Sequence, residues 1–307
     1  MTIAVTGAAG FVGTALLRQL CASGARVVAV DRRPLPACTR GLPGVQEHRA
    51  DLLDPRQRAR LAAAFRVAEA VVHLAGSPGV RDGGPDVAVR RDRDNVQATR
   101  LVCELTPRDT QLVVLSSSSV YGGSAGRACR EDDRLAPQGG YARSKVAVED
   151  VCAARAGGGR VLVVRPFTLV GAGQRPDMAV SRWASAIRAG RPVVVYGSLD
   201  RTRDLTCVSE AVRGIRGLVQ RGVTGTVNLG TGRPRTLADL LAAVADAVGL
   251  PHRLDVRPAP AREVADTWAD TARLRAWLGW APRTDLVAAV RAGVGAGAAS
   301  VLAGSGG

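Results

Sequence analysis

Apolar residues recur along the first half of the chain in short runs, each followed by a longer stretch in which they return at every third or fourth position. Runs of the first kind fit strands buried on both faces, and stretches of the second kind fit helices with one apolar side. Thr2 to Gly7 is such a run and passes into the helical pattern of Ala15 to Leu20, closed by Gly24. Ala25 to Val30 predicts a second buried strand ending in Asp31, and Val45 to Ala50 a third that stops at Asp51-Leu52. Pro55 to Phe65 reads as helix, Ala70 to Leu74 as strand, Asp86 to Leu105 as one long helix and Gln111 to Leu115 as strand. Gly139 to Ala156 is again helical, and Arg160 to Val164 is the sixth strand. Strands alternating with helices predict right-handed crossovers and a Rossmann-type, doubly wound parallel sheet, with ligands at the carboxyl ends of the strands.

Beyond Val164 the alternation is looser. Pro192 to Gly197 predicts a strand, Ala211 to Gln220 a helix, Val227 to Leu229 a run into Gly230-Thr231-Gly232, and Leu237 to Val248 a further helix. These elements predict a smaller C-terminal α/β domain. The chain therefore divides into residues 1–165, residues 166–291, some of whose strands can return to the first sheet, and a small-residue tail, 292–307. The tail is expected to prolong one helix and fray.

The turn after the first strand reads Gly7-Ala8-Ala9-Gly10-Phe11-Val12-Gly13. Strand, glycine turn and helix in that order form a phosphate cradle: Gly7 permits the tight turn, Gly10 lets backbone approach a pyrophosphate, and Gly13 lets helix pack on strand. Gly7, Gly10, Phe11 and Val12 are its expected contacts. An acid at the next strand end, Asp31, accepts from an adenosine ribose 2'-hydroxyl and repels a 2'-phosphate, which favours NAD over NADP. Arg32 and Arg33 follow at once and soften that preference. Asp51-Leu52, Leu74-Ala75-Gly76 and Ser116 to Ser119 lie at further strand ends. His73, at a buried strand end, reads as a packed structural histidine.

Of the 42 basic residues only Lys145 is a lysine, and it lies four residues after Tyr141, one of three tyrosines. A chain that writes arginine elsewhere and keeps one lysine points to a task for a compact point charge with three donors, not a planar fork. On a helix this spacing puts both side chains on one face. There the ammonium is expected to favour the phenolate and bring the tyrosine from its usual pKa of about 10 toward the range of an acid/base catalyst.

Composition narrows the classes. At 307 residues, 46% apolar and 22% charged, the chain is globular, and no run is long and apolar enough to cross a bilayer. Met1 to Leu17 lacks the basic start of a signal peptide, so a cytoplasmic protein is expected. The six cysteines form no C-x-x-C pair and no zinc-ligand spacing with histidine; reduced thiols and no metal are expected. The formal charge of +15 comes from scattered arginines with only 3% aromatics, so neither a basic stripe nor a stacking platform for nucleic acid is present. A polyphosphate ligand accounts for the charge as well.

Taken together, TGAAGFVG, the Asp31 strand end, HLAG at His73 to Gly76, the serines before Val120-Tyr121-Gly122, and YARSK resemble the extended short-chain dehydrogenase/reductase family. Its members mostly act on nucleotide sugars, and the resemblance covers nearly the whole chain. It implies that Tyr141 is the acid/base, that Lys145 holds the nicotinamide ribose, and that Ser117 is the hydroxyl that bonds the reacting oxygen. It also assigns residues 1–165 to NAD and catalysis, with Gly7, Gly10, Phe11, Val12, Asp31, Asp51, Leu52, Leu74, Ala75 and Gly76 against the cofactor, and 166–291 mainly to the nucleotide sugar. Family members that dehydrate or decarboxylate carry carboxylates just after the catalytic hydroxyl. Here those places hold Ser118 and Ser119, which argues against both reactions.

Within the family, Phe167-Thr168-Leu169-Val170-Gly171 and Arg175-Pro176-Asp177-Met178-Ala179 resemble the corresponding segments of UDP-glucuronate 4-epimerases, as does Pro78-Gly79-Val80-Arg81. The resemblance implies that Thr168 and Arg175 face the C6 carboxylate of the sugar, that Arg81 and Ser118 border it, and that Arg203 and Arg262 meet the diphosphate. A guanidinium fork suits a carboxylate. Ala172 in place of proline, the unusual segment Arg81 to Pro85, Glu210 and Arg262 itself depart from the pattern. The expected activity is NAD-dependent 4-epimerisation of a nucleoside-diphosphate sugar, UDP-glucuronate first, by a homodimer. The alternatives are an NDP-4-keto-6-deoxysugar ketoreductase using NAD(P)H, and a non-catalytic nucleotide-sensing module.

Overall fold

The computed structural model describes residues 1–79, 84–260 and 263–302. β1 (Thr2–Thr6), β2 (Arg26–Asp31), β3 (Val45–Arg49), β4 (Ala70–His73), β5 (Gln111–Leu115), β6 (Val161–Pro166) and β11 (Gly225–Leu229) form a seven-stranded sheet in the order β11-β6-β5-β4-β1-β2-β3. All its pairings are parallel. Successive side chains leave opposite faces of a strand. Ile3 and Val5 accordingly join the core under α1 (Phe11–Ala22), α7 (Val208–Arg221) and α9 (Ala272–Leu278), and Ala4 joins the core on the other face. That second face is covered by α2 (Arg58–Arg66), α4 (Ala98–Leu105) and α5 (Gly139–Ala156) through Leu61, Phe65, Val102, Val148 and Cys152.

The chain lays β2 and β3 on one side of β1, then crosses back to lay β4, β5 and β6 on the other. The strand order therefore reverses between β1 and β4, which in open parallel sheets is where the ligand crevice lies. The two loops that leave those strands touch: a Cβ added to Gly7, at φ +70°, would sit 2.6 Å from the Ala75 backbone nitrogen. Only a residue without a side chain that tolerates left-handed backbone serves there.

The long helix expected over Asp86 to Leu105 is instead three pieces in line: α3 (Val87–Arg91), a π-helical segment (Asp92–Gln97) and α4. Apolar spacing does not distinguish the wide i to i+5 turn from an ordinary one, and such segments gather at functional sites. The second half adds a separate core in which Trp183 and Ile187 of α6 (Ala179–Arg188), Leu240, Leu241 and Val244 of α8 (Leu237–Val248), and Val290 and Val294 of α10 (Leu286–Leu302) pack around β8 (Val193–Tyr196). The expected tail is thus helix as far as Leu302, and its start is core: Val294 is buried, and Gly293 lies so close to Gly171 and Gln174 that a Cβ would meet both. Small residues let α10 approach that closely. Among the described residues no helix is long and apolar enough to cross a membrane, and no cluster of metal-ligating side chains occurs.

Candidate active site

A cleft of about 740 Å³ runs over the carboxyl ends of the strands, from Asp31, Asp51 and Leu52 past the glycine turn to Ser117, Tyr141, Lys145 and Arg175. Its floor is the turn into α1. Gly10 precedes a helix with no acidic residue in its first turn, so the positive end of the helix dipole is left for an anion. A Cβ on Gly13 would lie 2.2 Å from the Gly7 carbonyl oxygen, so glycine there lets the turn fold under the helix.

Asp31 closes one end. Its carboxylate accepts from the Ala9 and Arg33 backbone N–H groups, both at 2.9 Å, which fixes it at the rim of the cradle. The two arginines that follow are engaged: Arg32 pairs with Asp94 at 3.2 Å, and Arg33 lies 3.7 Å from Asp31 and donates to the Ala9 carbonyl. Arg93 bridges Asp94 and Asp51, 2.6 Å to each. Burial opposes the charge on Asp51, but the bonds from Arg93 and the Leu53 N–H hold its carboxyl below the usual carboxylate range. Arg32 is thus drawn to Asp94, away from the ribose position, whereas Arg33 stays beside Asp31 and partly offsets its charge.

At the other end α5 carries Tyr141 and Lys145. Burial raises the Tyr141 phenol above its ordinary value; a hydrogen bond from Ser117 and the charges of Arg175 and Arg91 pull the other way. Among the described residues the charges acting on the phenol are those of Arg175 and Arg91, and its pKa lies above the ordinary value, which corrects the expectation that Lys145 brings it down. The Lys145 ammonium is turned to the main chain, donating to the Leu115 carbonyl at 2.7 Å, and burial lowers its pKa to about 8. Ser117 Oγ accepts from the Ser119 N–H at 3.1 Å, which leaves its proton free to be donated.

The wide turn of the π-helical segment places Asn95 against this helix. Asn95 accepts from the Ser77 N–H at 2.6 Å and donates to Ser144 Oγ at 2.8 Å; Ser144 donates to the Tyr141 carbonyl at 2.8 Å. His73 lies beneath, between Thr6 at 2.7 Å and Thr99 at 3.1 Å. Because Thr99 spends its proton on the Asn95 carbonyl, His73 donates from Nε2 and accepts at Nδ1. Burial takes its pKa down to about 3, so it is a neutral structural ring.

Of the residues expected from sequence, the cleft brings together Gly7, Gly10, Phe11, Val12, Asp31, Asp51, Leu52, Leu74, Ala75, Gly76, Ser117, Tyr141, Lys145 and Arg175. Ser118, Thr168 and Arg203 are not in its lining. Ser118 opens the turn Ser118–Tyr121, and Thr168 starts β7 (Thr168–Val170). Arg203 donates to the carbonyls of Thr202, Val264 and Ala265 and pairs with Glu263 at 3.1 Å. Arg81 and Arg262 lie outside the described residues. Sequence reading missed Asn95 and Arg91. A polar residue inside a predicted helix was the available signal for Asn95, whereas one arginine among so many gave none for Arg91.

Residues 3–230 match the model of the NAD dependent epimerase/dehydratase family. The chain belongs to that family. It is an enzyme of the extended short-chain dehydrogenase/reductase type, and NAD is its cofactor, which the glycine cradle and the fixed Asp31 fit. Among solved structures, MoeE5 in complex with UDP-glucuronic acid and NAD is 35% identical with a TM-score of 0.86, over 98% of this chain and 100% of that one. The UDP-glucuronic acid 4-epimerase of Bacillus cereus, in complex with UDP-glucuronic acid and NAD, is 27% identical with a TM-score of 0.88 over the same shares. The probable UDP-glucuronate 4-epimerase of Rhizobium meliloti is 28% identical over 92% of this chain and 92% of its own length.

Proposed function

We propose that this family member is a 4-epimerase that interconverts UDP-glucuronate and UDP-galacturonate. The observation that carries the reading is Arg175. Its guanidinium lines the same cleft as Tyr141, acts on the phenol electrostatically and holds the Asp177 carboxylate with Nε and Nη2, so a fork able to exchange that carboxylate for a sugar's stands beside the base that would serve C4. The ligands named for the two similar structures point to the same sugar. In this reading Tyr141, as phenolate, accepts the 4-hydroxyl proton while Ser117 donates to that oxygen, and Lys145 holds the cofactor ribose. Held by the glycine turn, Asp31 and Lys145, NAD would supply reversible hydride acceptance at C4, which suits an inversion there with no net redox change. Residues 1–165 then serve NAD and catalysis and 166–291 mainly the nucleotide sugar, in a cytoplasmic homodimer whose mass in solution light scattering would report.

Proton NMR of UDP-glucuronate incubated with the purified protein, without added cofactor, tests this directly. UDP-galacturonate signals with no net change in cofactor redox state are the expected result. If the sugar stays unchanged while a neutral nucleotide sugar is epimerised, the uronate assignment fails. Stoichiometric consumption of NADH or NADPH with a 4-keto sugar would make the protein a reductase.

A further inference from the structure

α5 directs three polar side chains, at i, i+4 and i+8, toward the carboxyl end of β5. Tyr141 bonds Ser117, Lys145 donates to the Leu115 carbonyl, and Glu149 accepts from Ser116 Oγ at 2.5 Å. Three consecutive residues, 115 to 117, are therefore met by three successive turns of one helix. The first two contacts belong to the catalytic set; the third has no part in the chemistry described so far.

Glu149 and Arg165 are a buried pair, with side chains 11% and 6% exposed. Arg165, in β6, donates from Nε and Nη2 to the two carboxylate oxygens at 2.9 and 2.6 Å, and from Nη1 to the Tyr121 hydroxyl and the Glu131 carbonyl. A pair of this kind is weak grounds for a role in stability, since well-packed apolar side chains of similar volume often do as well. What it secures is a carboxylate that cannot move, aimed at the Ser116 hydroxyl. The Ser116 backbone N–H is meanwhile bonded to the Val164 carbonyl at 2.8 Å. Ser116 is thus tied through its main chain to β6 and through its side chain to α5, and the next residue is Ser117.

We infer that Ser116 and Glu149 are positioning residues for the reaction: their bond fixes the end of β5 against α5 and so holds the Ser117 hydroxyl in line with the Tyr141 phenol. The inference rests on the reading that Ser117 and Tyr141 carry the acid/base step. Small misplacements of reacting groups cost about 100-fold per ångström in favourable cases, so a single lost hydrogen bond here is expected to be visible in kcat.

Ser116→Ala is the test, because it removes one hydroxyl and leaves the Glu149–Arg165 pair intact. The expected result is a fall in kcat of roughly tenfold, with KM and bound NAD per chain near wild-type values. Ser116→Thr, which restores the hydroxyl, should recover most of the rate. A second measurement needs no substrate: the absorbance titration of the Tyr141 phenol, taken as the difference from Tyr141→Phe, should move to higher pH in Ser116→Ala. Arg175 and Arg91, whose charges act on the phenol, are unchanged in that variant. Wild-type kcat with an unmoved titration overturns the inference. Loss of NAD and thermal stability in proportion to kcat also overturns it, since the bond would then be structural only. Should the wild type not convert UDP-glucuronate, it is the substrate reading that fails, and the phenol titration still decides this one.

Discussion

Removing the Arg175 guanidinium takes away one of the two positive charges that, among the described residues, favour the Tyr141 phenolate against burial. Arg175→Ala also frees the Asp177 carboxylate, now bonded to Arg175 through two contacts of 2.8 Å, to bear on the phenol. Both changes disfavour the phenolate, so the ascending limb of the kcat–pH profile should shift to higher pH. The same variant should raise KM for a uronate by about ten- to a hundredfold, the worth of a charge-assisted hydrogen bond, and leave neutral sugars within a few-fold. Equal losses on both sugars would remove Arg175 from carboxylate recognition. Lys145 makes an opposite kind of statement. Its folded pKa of about 8 lies below the ordinary lysine value, so the unfolded chain binds more protons between the two and stability rises with pH across that window. Lys145→Met lacks this dependence: any stability advantage it holds over wild type at pH 7 should shrink by pH 10, as thermal melts of the two proteins would reveal.

At the scale of elements, the glycine turn carries the sharpest prediction. Gly7→Ala puts a Cβ 2.6 Å from the Ala75 backbone at φ +70°, so the loops leaving β1 and β4 must part. Bound NAD, read from the absorbance ratio of the purified protein, should be lost in that variant while the helical circular dichroism persists. The turn, the strand ends and the bounds of α5 and α8 were legible in sequence because each depends on nearby residues: glycine placement, apolar runs and helical period. Features set by distant partners were not. Nothing local marks Asp92 to Gln97 as π-helix, and the two-residue strands β9 (Thr202–Arg203) and β12 (Arg235–Thr236) are too short for any period to announce them. Arg203 looked like a diphosphate ligand in a familiar segment, yet its donors are drawn to residues sixty positions later. The Tyr141–Lys145 spacing correctly placed both side chains on one helical face, but spacing alone could not reveal that a main-chain carbonyl would hold the ammonium.

Over the whole molecule, one buried polar residue laces the second half to the first, and another ties the second half to itself. Asn228, in β11, accepts from the Tyr121 hydroxyl at 2.7 Å and donates to the Cys129 and Asp270 carbonyls. Asp204, fully buried, accepts from the Thr231, Gly232 and Ala269 N–H groups and from the Thr231 hydroxyl. Asp204→Ala would leave those buried donors unmatched at about 1–3 kcal/mol each, so denaturant unfolding should show one of the larger losses in the protein. Thr236→Ala, which breaks the capping box at the start of α8, should cost about 1 kcal/mol by the same measurement.

The position of β11 at the edge of the sheet also bears on synthesis. When the ribosome has delivered the chain through β6, the strands that hold NAD and the whole Ser117, Tyr141 and Lys145 set already exist, yet β6 has no neighbour on its outer side until Leu229 has been made. A nascent chain in that interval presents an unpaired, apolar strand edge, the kind of surface on which copies join. The interval belongs to chaperones, and a product truncated within it is expected to aggregate despite carrying Ser117, Tyr141 and Lys145.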